Sequence, residues 1–86
     1  MNERRITSLE SIPAGTGARM IELRLSPAES QRLMEMGMTS GTTLTVLKRA
    51  PLGDPIEILV RGGHLSIRKT VAEAIIVEPI DGGASA

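Results

Sequence analysis

The chain of 86 residues contains no cysteine, phenylalanine, tyrosine or tryptophan. Without cysteine there is no disulfide, no thiolate metal site and no cysteine nucleophile. Without aromatic rings there is no stacking platform for single-stranded bases and no ring-lined groove for proline-rich peptides. The core has to be built from Leu, Ile, Val, Met and Ala. An excess of one charge is also missing, since ten basic residues face ten acidic ones. That balance argues against gripping nucleic acid or an anionic membrane by charge alone. No apolar run approaches the ~18 residues of a membrane span, and MNERRITSLE carries no signal-peptide core. The chain reads as cytoplasmic, with no direct membrane insertion. Its length suits one domain, 1–79, which would bury roughly 60% of its unfolded surface. The small, glycine-rich segment 80–86 reads as a disordered tail.

What is present is organised around SPAESQRLMEMGMTSG, residues 26–41. Ser26 can accept a hydrogen bond from an unpaired backbone N–H at a helix start. Pro27 follows at the first helical position, where its missing N–H costs nothing. Glu29, three residues on, suits a capping box. Gly37 stands just past the helix end, where a left-handed conformation is wanted, and Met38 would fold back towards Leu33. This helix is expected to act as a plug or lid on a small sheet.

The flanking segments read as strands. Arg19 to Leu25 alternates, with Ile21, Leu23 and Leu25 on one face and Glu22 and Arg24 on the other. Thr42 to Lys48 turns Leu44 and Val46 inward, and Ile56 to Val60 does so with Ile56, Ile58 and Val60. Gly62-Gly63 marks a hairpin turn, followed by His64 to Arg68 and then Ile75 to Val77. Residues 8–12 and 69–74 suit short helical turns, whereas residues 1–7 are expected to fray. Five short alternating strands predict an all-β, small α+β fold. The expected architecture is a five-stranded antiparallel barrel with one main helix between the first and second strands.

Few residues suggest chemistry. His64 is the single histidine and falls on the outward face of its strand. Glu22, Glu29, Glu35, Asp54 and Glu57 form neither a Ca²⁺ loop nor a carboxylate cluster. No G-x-S-x-G elbow or phosphate-binding glycine loop occurs. The reading is of no catalytic residue, no cofactor and no metal ligand. Met20, Met34, Met36 and Met38 raise two alternatives, soft Cu(I) ligands or an adaptable recognition surface. Met36 and Met38 are expected in the core, while Met34 borders a partly exposed apolar patch. In residues 50–55, two prolines and a glycine cannot sit in a central strand, so they form a stiff loop with Leu52 at its tip. Arg32, Met34, Pro51 and Leu52 are the candidate protein-interaction residues.

The run from Arg32 to Pro79 resembles the FeoA family, the small cytosolic component of bacterial ferrous iron uptake. Its most specific pieces are RLMEMGMTSGT, KRAPLGDPIEI, RGGHLSIRK and AIIVEP. The likeness extends over nearly the whole chain if SLESIPAGTGARMIEL is counted. The resemblance implies an SH3-like barrel and a partner, the membrane ferrous iron transporter FeoB with its cytosolic G-protein domain. It implies an accessory or regulatory protein and not an enzyme, and it carries over no catalytic residue. The alternatives from other classes are a small nucleic-acid-binding barrel, which missing aromatics and balanced charge disfavour, and an Fe²⁺ carrier, for which one histidine is a poor ligand supply. An exposed strand edge would also permit self-association.

Overall fold

The computed structural model describes residues 5–80. Helix α1 spans Pro27–Glu35, and both its ends are built as the sequence suggests. Ser26 Oγ accepts the Glu29 N–H at 3.2 Å. The Glu29 carboxylate comes back to within 3.5 Å of the same hydroxyl, so the box is closed through the Ser26 side chain. At the far end, Met38 N–H donates to Leu33 O and Gly37 N–H to Met34 O, each at 3.0 Å. Gly37 has φ +105°. This pair of bonds around a left-handed glycine is the Schellman arrangement.

The helix does not plug the core. None of its residues is fully buried, and Leu33 alone of α1 leans on the core cluster. Met38, directly after the cap, is the side chain that fills the interior at 0% exposure. Met36 was expected beside it but is 48% exposed. It occupies the helix C-cap, and the left-handed glycine turns the chain inward only after it.

The strands are β1 (Thr7–Ser8), β2 (Gly17–Leu23), β3 (Thr43–Arg49), β4 (Ile56–Val60), β5 (Gly63–Ile67) and β6 (Ile75–Ile80), and a short helix α2 (Lys69–Ala72) joins β5 to β6. They form one antiparallel sheet in the order β1-β6-β2-β3-β4-β5. Among the described residues the sheet has six strands where five were expected. The extra one is β1, whose Thr7 and Ser8 pair with Val77 and Ile76. Those two polar residues carry no alternating signal, and pairing alone makes them a strand. Ile80, assigned to the tail, ends β6 opposite Gly17. Residues 1–4 and 81–86 lie outside the described segment. Pro79 falls beyond the two residues that β1 pairs, so its missing N–H interrupts neither of those pairings.

Two bulges decide which side chains face inward. Met20 pairs with Val77 and Glu22 with Ile76, leaving Ile21 without an opposite residue. Ala18 and Met20 are buried before the bulge, whereas Leu23 and Leu25 lean on the core after it. The expected single face Ile21-Leu23-Leu25 is thus broken, because one extra residue reverses the alternation. A second bulge at Leu47 separates Val46↔Ile58 from Lys48↔Glu57. Leu44, Val46, Ile56, Ile58 and Val60 are buried as expected.

The hairpin between β4 and β5 is one residue earlier than read from the paired glycines. Val60 pairs with Gly63, and the two loop residues, Arg61 and Gly62, have φ 52° and 77°. Two positive φ values in a two-residue loop make a type I′ turn, whose twist matches the strands. The sheet curls on itself. A 3-10 turn, Leu9–Ser11, follows edge strand β1, and it contacts α2, which follows the opposite edge strand β5. Arg49 fastens the curl by donating to the carbonyls of Glu10 and Ile12.

Candidate interaction surface

The loop from Ala50 to Pro55 is held from several sides. Gly53 N–H donates to Ala50 O at 2.7 Å and Ala50 N–H to Pro55 O at 3.1 Å. Pro51 takes the second position of the first of these turns. Leu52, the third, has φ 75° and ψ 3°. That is a type II turn with leucine where glycine is favoured. The left-handed conformation costs a leucine about 1–2 kcal/mol. Its side chain regains nothing by packing, since Leu52 is 99% exposed. Asp54 Oδ1 accepts the Lys69 N–H at 2.9 Å, joining the loop to the start of α2. A rigid turn thus presents one apolar side chain entirely to solvent.

The exposed side of α1 adds two further surfaces. Met34 is 44% exposed and borders a shallow pit against β2, formed with Met20, Leu23 and Met38. Arg32 points the other way. Together with Leu33 and Met36 it lines an open groove of about 640 Å³. The opposite wall is residues 64–68, continued by Val71 of α2. Arg68 is the residue before Lys69, so the Asp54 bond places the Leu52 loop beside one end of the groove.

The four candidate residues therefore do not form one patch. Arg32 and Met34 share a helix but border different concavities, and Pro51 and Leu52 line neither. The groove wall also holds Met36, Leu65 and Arg68, which are not among the four candidates, and His64, which is exposed as expected. The spacing of Leu33 and Met36 marked one apolar stripe. Nothing in the sequence marked 64–68 as the outer strand facing it. Among the described residues, no three His, Asp or Glu side chains gather as a metal site, and no helix is long and apolar enough to cross a membrane.

Known proteins share this architecture. The FeoA domain family model matches residues 7–79. A curated protein of Porphyromonas gingivalis, an Fe(2+) transport protein A/Fe(2+) transporter FeoB fusion protein, is 31% identical over 77 residues. The alignment takes in 90% of this chain and 9% of the fusion, so the chain spans less than a tenth of that relative's length. The solution structure of FeoA from Chlorobium tepidum superposes with a TM-score of 0.84 at 39% identity, covering 88% of this chain and 72% of that one. FeoA from Stenotrophomonas maltophilia, a procaryotic SH3 domain protein in complex with zinc, superposes with a TM-score of 0.69 at 24% identity, covering 83% and 88% of the two chains. The small α+β fold described above is accordingly SH3-like.

Proposed function

The chain belongs to the FeoA family of ferrous iron transport, and on that premise we propose that it is a cytosolic accessory subunit that docks on the FeoB transporter and regulates it without catalysing a reaction. The observation that carries this reading is the Porphyromonas gingivalis relative, in which a matching segment and a FeoB transporter are one polypeptide. Fusion keeps two partners at high effective concentration, an arrangement suited to an interaction module. The surface chemistry agrees with it. Leu52 and Met34 offer exposed apolar contacts on a stiff turn and a stable helix, and Pro51 and Arg32 lie beside them in sequence, both exposed. Leu52 is the anchor in this reading, because an exposed and conformationally costly leucine contributes nothing to folding.

The test is capture by the immobilised chain. The probes are the FeoB cytosolic G-protein domain and detergent-solubilised full-length FeoB, each with and without a GTP analogue. Capture that depends on the transporter's membrane part or on nucleotide identifies a regulatory subunit and the state it reads. Leu52→Gly is expected to weaken capture at least tenfold. Absence of capture in every state would overturn the reading.

A further inference from the structure

We propose that the groove between α1 and β5 is a strand-addition site that takes an extended, apolar peptide segment carrying acidic residues. The inference deepens the docking reading above by naming the chemistry of the partner segment.

The argument starts from the edge. Among the described residues β5 is the outermost strand and pairs only with β4. In the two-residue hairpin, Val60 and Gly63 form the hydrogen-bonded pair. Bonded and non-bonded pairs then alternate. Leu65↔Ile58 and Ile67↔Ile56 are bonded to β4, and His64↔Leu59 and Ser66↔Glu57 are not. The neighbouring ladder agrees with this phase. Ala50 bonds to Pro55 across β3 and β4, which directs Ile56 and Ile58 towards β5. The N–H and C=O groups of His64 and Ser66 therefore point away from the sheet. Among the described residues they make no other backbone hydrogen bond.

The groove runs along that edge. Its wall includes residues 64–68 without a gap. Side chains of successive strand residues point to opposite faces, so a wall made of consecutive residues follows the backbone and not one face. Five residues of strand span about 17 Å, enough for two pairs of main-chain bonds to an added segment. The far wall supplies Leu33 and Met36, and Met36 is 48% exposed with no core role. These two receive alternate apolar side chains.

Charge selects the occupant. Arg32 and Arg68 line the groove from opposite walls, and neither has an acidic partner among the described residues. Among the described residues Glu29 is the one acidic residue that lines it, and its carboxylate is engaged with the Ser26 hydroxyl at the helix cap. Two unpaired guanidiniums favour a segment with carboxylates flanking its apolar positions. Main-chain bonds would supply affinity and the alternate side chains selectivity.

The test pans a displayed library of random heptapeptides on the folded chain, then measures the synthetic winners. Winners are expected to alternate apolar residues and to carry Asp or Glu. Their binding protects the His64 and Ser66 amides from hydrogen exchange, disappears on N-methylation of alternate peptide bonds, and falls at least tenfold in Arg32→Glu/Arg68→Glu. Both arginines are exposed and unpaired, so that variant keeps its fold. Four results would overturn the proposal: no winner, winners that tolerate N-methylation, binding that leaves the two amides unprotected, or protection that rises with protein concentration without peptide, which assigns the edge to a second copy. Capture of FeoB is measured on the same variant and on the parent chain. Parental capture without any strand-adding winner sinks the groove and leaves the docking reading standing, whereas no capture at all removes both.

Discussion

Replacing Gly37 tests the hinge between the helix and the core. Gly37 has φ +105°, and a Cβ built there would lie 2.7 Å from Arg61 Cδ and 3.1 Å from Arg61 Cγ. Two costs follow for Gly37→Ala. The left-handed conformation costs an L-residue about 1–2 kcal/mol. Displacing the Arg61 stem adds a further term of about 0.5–1 kcal/mol, the scale of an off-rotamer side chain. The total, about 1.5–3 kcal/mol, corresponds to a fall in Tm of roughly 6–24 °C for a domain of this size. Gly37→Asn should cost less, because asparagine tolerates the left-handed region, and Gly37→Val more. The decisive comparison repeats Gly37→Ala in an Arg61→Gly background, which removes the stem and leaves the backbone cost. Equilibrium urea unfolding at constant m-value reads each step of the cycle. The cost should shrink in that background but not vanish. A cost below about 0.5 kcal/mol in the parent chain would refute the requirement for a left-handed residue. An equal cost in both backgrounds would refute the contact with Arg61.

Other substitutions separate the remaining contributions, each read by urea unfolding. Met38→Ala should cost about 2–5 kcal/mol, because it empties a fully buried site, while Met36→Ala should fall within about 0.5 kcal/mol of the parent. Leu52→Gly relieves a left-handed leucine that packs on nothing. It should leave stability unchanged or raise it by up to about 1 kcal/mol, since the added freedom of the unfolded chain offsets part of the relief, and a loss above 1 kcal/mol would show that Leu52 packs in solution. Asp54→Ala removes the acceptor for the Lys69 N–H. It should cost about 0.5–1 kcal/mol, the lower part of the range for a helix-start acceptor, and hydrogen exchange at Lys69 should rise with it.

Much of the fold was legible locally. The ends of α1 are short-range events in which Ser26, Pro27, Glu29 and Gly37 act on backbone groups within a few residues, so their order along the chain suffices. The buried faces of β3 and β4 followed from strict alternation. Leu9 and Ile12, three apart on the short helical turn expected over residues 8–12, share one side of it and are buried. The candidate surface was less legible. Leu52 stood out because a stiff loop tip offers a leucine no burial. Met36 was misplaced, because an apolar residue three positions after Leu33 reads as core unless the direction of the chain beyond the cap is known.

The sequence by itself determined the punctuation: where the helix begins and stops, where loops interrupt strands, and which short alternating runs can hide one face from water. These depend on backbone conformation and on neighbours a few residues away. The tertiary structure alone decided three further matters. It made Thr7 and Ser8 a strand, since pairing with β6 depends on residues about seventy positions distant. It set Ile21 and Leu47 as bulges, because a surplus residue is defined only against the partner strand. It left β5 as the edge and brought it opposite α1, because strand order is a property of the whole curled sheet. The groove exists only through that last step, since its two walls are more than twenty-five residues apart along the chain and meet only in the folded protein.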